Sequence, residues 1–392
     1  MFYLFNDIKR KDILDSFLAL ENEISGEDEF LSKIISFSVE YGINGNLWKK
    51  YILYILIFNE NPYTLAIERN KPVIGNISYV EQDLKKYYEL YSYESNVIDK
   101  ISSFDFKKED TSISKIINDL YAKIDNSFSS FYDSVINFYK NKGIGEMALY
   151  KAFRVENGVL YPIYNVLNVT FDDLIGYDYQ KKLLIENTKN FISGRPYNNV
   201  LLYGDSGTGK STSIKAVLNE FFDDGLRIIE VYKHQMEEIS NIIHTLRSRP
   251  YFYMIYMDDL SFEENEIEYK YLKSIIEGGI EPKPDNVVIY ATSNRKHLIK
   301  ETSADNKLDD LHRNESQAEK LSLAYRFGLQ IYYGSLSFKE FKSMVVELAQ
   351  NNNIRIDETT LLKEAASWEL TYGSLSGRCA QQFIRYLVNK IK

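Results

Sequence analysis

Apolar residues recur at three- and four-residue spacing over 12–20, 28–39, 80–91, 113–121 and 128–139. That spacing puts them on one face of a helix, so the first 165 residues read as mainly helical. The run 51–58 is apolar throughout. It reads equally as a turn or two of buried helix or as one buried strand. Residues 142–147 form a glycine-punctuated break. After it, 148–153 and 159–164 read as a strand pair around the turn Glu156-Asn157-Gly158. This pair marks the joint between the helical N-terminal part and the rest of the chain.

From Phe171 the pattern changes to strand alternating with helix. Short apolar runs at 199–203, 226–232, 251–257 and 286–291 alternate with helical periodicity at 177–192, 212–222, 235–247 and 266–277. Strands joined by helical crossovers imply a parallel sheet with helices on both faces. The chain then returns to helix alone at 338–351, 357–370 and 375–390. The expected organisation is a mainly helical N-terminal domain over 1–165, an α/β domain over 166–334 and a helical C-terminal subdomain over 335–392.

Composition narrows the class. With 44% hydrophobic and 26% charged residues, the 392-residue chain has the make-up of a soluble globular protein of two or three domains. One cysteine, Cys379, excludes an intrachain disulfide framework, and with four histidines it argues against a zinc site. No run approaches the ~18–20 apolar residues of a membrane span, and the first residues lack the features of a signal peptide, so a cytoplasmic protein is expected. A net charge of −9 argues against a broad nucleic-acid surface, while leaving room for a local basic channel. The 32 tyrosines and 22 phenylalanines stand out, but such composition reflects genomic bias more readily than a stacking surface.

Residues Gly204-Asp205-Ser206-Gly207-Thr208-Gly209-Lys210-Ser211 complete the pattern G-x-x-x-x-G-K-[ST], with Thr212 opening the helical run behind it. A strand leads in and a helix leads out, a setting that an incidental glycine-rich turn would not supply. In such a loop the backbone N–H groups and the helix N-terminus face phosphate oxygens, Lys210 reaches the β/γ-phosphates, and the Ser211 hydroxyl ligates Mg²⁺. An acidic partner for the metal is expected on a neighbouring strand. Asp258 closes the apolar strand 251–257, and Asp259 or Glu263 is the candidate for polarising the attacking water. Asn294, at the tip of the next strand, is placed to orient that water.

Six segments then fall in the order found in AAA+ ATPases: 171–177, 204–211, 257–259, 291–295, 325–328 and 373–378. They resemble the adenine-pocket segment, Walker A, Walker B, sensor 1, the arginine-finger box and sensor 2. The resemblance covers 170–392 and implies a P-loop NTPase fold with the last helices as a lid over ATP and Mg²⁺. Segments 258–263 and 277–281 further resemble a bacterial group of AAA+-type ATP-binding proteins. The resemblance places Ile175 and Gly176 beside the adenine, Arg378 on the phosphates, and Arg326 on the γ-phosphate of a neighbouring subunit in a homo-oligomer.

The departures matter too. Asp259 stands where the family usually has Glu, which points to slow hydrolysis or a switch. Residues 231–235 lack the aromatic–hydrophobic–glycine pore loop of protein-unfolding members. Residues 296–320 form a long polar insertion, read as a surface loop. The expected function is an ATPase that remodels a protein partner held by the N-terminal domain. Its alternatives are a nucleotide-dependent switch with negligible hydrolysis and a nucleic-acid-associated loader; a kinase lacks any acceptor-site signal.

Overall fold

The computed structural model describes residues 2–24, 26–72, 77–105, 111–247, 249–263, 266–277, 282–296, 298–299 and 323–391. Two compact units emerge: residues 1–150 with 248–250, and residues 151–247 with 251–392.

The first unit is helical. Helices Lys11–Glu21, Glu27–Tyr41, Ile77–Tyr91, Ser112–Tyr121 and Phe128–Asn141 cover the five periodic segments. The ambiguous apolar run forms a helix, Leu47–Phe58, in which every residue but Lys49 is buried. Asn46 starts it by accepting from the Lys49 amide. A helix apolar on all sides belongs in the middle of a core, and this one packs against the helices on several sides of it. Aromatic rings fill much of that core, with Phe17, Phe30 and Trp48 in mutual contact and Tyr51 against Trp48.

The second unit is built on a seven-stranded sheet of described residues. Its strands are β1 (Ala152–Glu156), β2 (Val159–Pro162), β3 (Val200–Gly204), β4 (Leu226–Glu230), β5 (Phe252–Met257), β6 (Val287–Ser293) and β7 (Leu329–Tyr333). The order is β2-β1-β4-β5-β6-β3-β7. Only β1–β2 pair antiparallel; the other pairs are parallel. Parallel strands covered on both faces need continuous apolar runs, and β6 is buried along its whole length. Val200, Leu202, Met254, Val288 and Tyr290 pack one face against helices Asp178–Ile192 and Lys210–Phe221. The α/β sheet with flanking helices, preceded by helices and followed by helices Phe338–Asn351, Glu358–Tyr372 and Gly377–Ile391, is the expected architecture.

Two local expectations need correction. Ala148 and Leu149 are the end of a short helix, Gly145–Leu149, and the strand begins at Ala152. Both are buried in the core of the helical unit, so this stretch closes that unit and does not open the sheet. The β1–β2 hairpin is also more than a joint, since β1 extends the parallel sheet beside β4. Strand β7 went unassigned from sequence because its alternation is weak, and nearly all of the 296–320 insertion lies outside the described residues.

Candidate functional site

Strand β3 runs between β6 and β7, so the chain leaves it where neighbouring connections diverge. In open α/β sheets, the carboxyl ends of strands at such a point frame a binding crevice. A cavity of about 440 Å³ lies there, in the second unit. The loop 204–211 wraps its floor. Gly204 has φ +136°, and a Cβ on it would stand 2.0 Å from the Tyr333 carbonyl oxygen. Gly207 has φ +79°, and its Cβ would meet the Arg378 side chain at 2.9 Å. Neither position accepts a side chain. The Arg378 amide donates to the Gly207 carbonyl at 3.1 Å, so the start of the last helix rests on the loop.

Lys210 is the first residue of helix Lys210–Phe221 and is buried. Its ammonium donates to the carbonyls of Gly204 at 2.8 Å and Asp205 at 2.7 Å, and to Asn294 Oδ1 at 3.0 Å. Burial pushes its pKa down, against the opposing fields of Asp259, Asp205 and Asp258. Asn294 continues the chain of contacts by donating from Nδ2 to Asp259 Oδ1 at 2.7 Å. Asp259 holds a left-handed backbone, φ +49°, just past the end of β5.

Asp258 has a different environment. Its Oδ1 accepts three hydroxyls: Ser211 at 2.7 Å, Tyr256 at 2.7 Å and Thr292 at 2.5 Å. Burial works to raise this carboxyl, and the hydrogen bonds from Thr292, Tyr256 and Ser211 outweigh it, leaving it below the usual carboxylate range. Burial, and then Asp258 itself, raise the Tyr256 phenol well above its ordinary value. The phenol therefore stays protonated and remains a donor.

Of the residues singled out from sequence, Ile175, Gly176, Ser206, Gly207, Thr208 and Gly209 line the cavity. So do Lys210, Ser211, Thr212, Asp258, Asp259, Asn294 and Arg378. Gly204 and Asp205 open the loop and do not line the cavity. The Asp205 carboxylate accepts from the Ser335 amide at 2.9 Å and its hydroxyl at 2.7 Å, at the junction between β7 and the helical C-terminal part. Glu263 does not line the cavity, and its amide donates to Glu266. Arg326 does not line it either; its guanidinium pairs with Glu277.

Sequence reasoning missed Tyr256 and Thr292. Each stands two residues before a residue it had selected, Asp258 and Asn294, and the two-residue period of a strand was the available signal. It also missed Met344, Leu348 and Gln381, which close the cavity beside Leu174 and Ile175. These lie on helices whose packing the motifs do not encode.

The sheet order, the glycine-walled loop and the lysine at the helix start together define a P-loop NTPase fold of the AAA+-like kind. Residues 147–391 match the family described as "Protein of unknown function (DUF815)", and the chain belongs to that family. No curated protein matches it. Similar solved structures include a variant of Thermotoga maritima RuvB, 18% identical over 55% of this chain and 63% of that one, with a TM-score of 0.39. A second T. maritima RuvB variant is 17% identical over 55% and 64%, with a TM-score of 0.37. A third structure, the T. maritima RuvB Holliday junction branch migration motor, is 16% identical over 55% and 71%, with a TM-score of 0.33. The chain thus spans less than two thirds of the first of these structures. No helix among the described residues is long and apolar enough to cross a membrane.

Proposed function

We propose that the cavity binds ATP with Mg²⁺ and hydrolyses it. The observation that carries this reading is the convergence of Lys210, Ser211, Asp258, Asp259, Asn294 and Arg378 on one cavity of nucleotide size. Lys210, the loop amides and Arg378 bind the phosphates, and Leu174, Ile175, Met344 and Leu348 supply an apolar wall for the base. The donor set fits Mg²⁺. Ser211 and Asp258 put a hydroxyl and a carboxylate oxygen 2.7 Å apart, and this hard ion is typically held by one or two carboxylates with phosphate oxygens and water. Among the described residues no group of three or more His, Cys, Asp or Glu forms a cage of its own. When bound, the ion neutralises charge that develops on the phosphoryl oxygens.

Asp259 orients the attacking water with Asn294, because both line the cavity and are bonded to each other, whereas Glu263 lies outside it. Arg326, outside its own cavity and held by Glu277, is the residue delivered to a neighbouring copy in an oligomer. The helical first unit holds the protein partner on which turnover acts. A second reading, a nucleotide switch with negligible turnover, is favoured by one observation: the short Asp259 side chain is already engaged by Asn294.

Phosphate release under saturating MgATP tests the assignment. Asp259→Asn should keep nucleotide affinity and lose about 100-fold or more in turnover, the range for a lost general base. Glu263→Gln should stay near wild type. The reverse pattern would move the base to Glu263. Negligible turnover in the wild type, with binding intact, would select the switch.

A further inference from the structure

Tyr256 lies inside β5 and is 4% exposed. Its ring packs with Met254, Tyr290 and Val288, a task that phenylalanine would do as well. A buried hydroxyl is costly unless it is hydrogen-bonded. The Tyr256 hydroxyl meets Asp258 Oδ1, two residues on along the same face of the strand. Thr292, at 1% exposure on the neighbouring β6, uses both halves of its hydroxyl. It donates to Asp258 Oδ1 at 2.5 Å and accepts from the Asp259 amide at 2.9 Å. The Leu260 amide closes the same turn by donating to the Thr292 carbonyl at 2.7 Å. All three hydroxyls around Asp258, including that of Ser211, meet Oδ1 and not Oδ2.

We propose that Tyr256 and Thr292 are positioning residues: a clamp of two buried hydroxyls that presets the Asp258 carboxylate for the cation accompanying a nucleoside triphosphate. This inference rests on the metal assignment given above. Without the clamp, the carboxylate would keep only the adjacent Asp259 amide and Ser211, a hydroxyl that the metal itself engages. With it, one carboxylate oxygen is fixed from the sheet side before either ligand arrives. Groups that orient a metal ligand typically affect metal affinity ten- to a hundredfold when removed. Thr292 extends the control to Asp259, since its oxygen anchors the amide of a residue held at positive φ. Tyr256 and Thr292 therefore have separable signatures. Loss of the Tyr256 hydroxyl disturbs metal dependence alone, whereas loss of the Thr292 hydroxyl disturbs metal dependence and turnover.

The test is the affinity of a fluorescent ATP analogue measured without divalent cation and across a Mg²⁺ titration, together with Mn²⁺ binding followed by electron paramagnetic resonance. Wild type, Tyr256→Phe, Thr292→Val, Thr292→Ser and Asp258→Asn are compared. Tyr256→Phe and Thr292→Val should each raise the Mg²⁺ and Mn²⁺ midpoints about tenfold, the lower end of that range. They should leave metal-free nucleotide affinity within twofold of wild type. Thr292→Ser, which keeps the hydroxyl, should restore the wild-type midpoint. A purely structural role would lower the melting temperature without moving the metal midpoints, and that result overturns the clamp. Asp258→Asn separates the two levels of the argument. If it shifts the midpoints and neither clamp variant does, the clamp fails alone; if it does not shift them, the metal assignment fails with it. Should Tyr256→Phe not fold, the contrast between Thr292→Val and Thr292→Ser carries the same decision.

Discussion

Both units bury polar side chains, but they use them differently. In the helical unit many of the buried donors and acceptors turn to the backbone. The Tyr87 hydroxyl donates to the Phe5 carbonyl at 2.8 Å, Tyr139 to Leu56 at 3.0 Å and Tyr51 to Arg10 at 2.9 Å. Asp83, wholly buried, accepts from the amides of Tyr3, Leu4 and Phe5. Such bonds satisfy backbone groups, several of them in the non-helical segment before the first helix, and their yield is stability. In the α/β unit, the buried Lys210, Tyr256 and Thr292 also bond to side chains, and those bonds lead, directly or through the exposed Asn294, to Asp258 and Asp259 at the wall of one cavity. Burying a lysine costs free energy that an apolar side chain would avoid. The difference separates polar burial that serves the fold from polar burial that serves a site.

The contrast is open to direct attack, and the largest effect is expected in the helical unit. Asp83→Ala orphans three backbone donors, of which the fully buried Phe5 amide alone is worth about 1–3 kcal/mol and the part-buried two add to it, so roughly 3 kcal/mol of stability should be lost. Nucleotide affinity should be unchanged, and a matching loss of affinity in the folded protein would erase the distinction. Next comes Lys210→Ala. It removes a charged donor worth about 2–3 kcal/mol, so triphosphate affinity measured by calorimetry should fall about 30- to 150-fold while the melting temperature holds. Unchanged affinity would leave Lys210 as a buried structural lysine.

Tyr139→Phe sharpens the pair at smaller scale. One buried hydrogen bond is worth about 1 kcal/mol, so chemical denaturation should register that loss with no change in metal or nucleotide binding. A pH dependence belongs to Lys283, a half-buried lysine of the α/β unit away from the cavity. Its ammonium donates to the Val287 carbonyl and to Tyr197 at 3.2 Å, and burial pulls its pKa down to about 8. The unfolded chain then binds more protons between pH 8 and its own ordinary lysine value near 10.5, so stability gains from this group as pH rises through that window. The gain should appear as wild type improving relative to Lys283→Met between pH 7 and pH 10. A constant difference would mean that Lys283 titrates normally.

How much of this was legible in the sequence follows the range of the interactions. The phosphate loop is local, and its eight residues specify their own backbone path. Asp258 and Asn294 were legible because a strand end followed by a polar residue is a local pattern as well. The helix Leu47–Phe58 was not, since a uniformly apolar run carries no period and only its place in the core decides its form. Tyr256 and Thr292 act through register. Their meeting at Asp258 depends on β5 lying beside β6, with Tyr256 opposite Tyr290 and Met257 opposite Ala291. No spacing along the chain records that pairing. Glu263 misled for the complementary reason: close to Asp258 in sequence, it follows a turn that leads away from the cavity.

The central claim is that this cavity is a nucleoside triphosphate site, and calorimetric titration of the wild-type protein with ATP tests it most directly, once with Mg²⁺ and once with a chelator. The account predicts saturable binding at one site per chain, of order 1–100 μM (about 5.5–8 kcal/mol), tighter with Mg²⁺ than without it. Absence of saturable binding up to millimolar ATP in both conditions would contradict it.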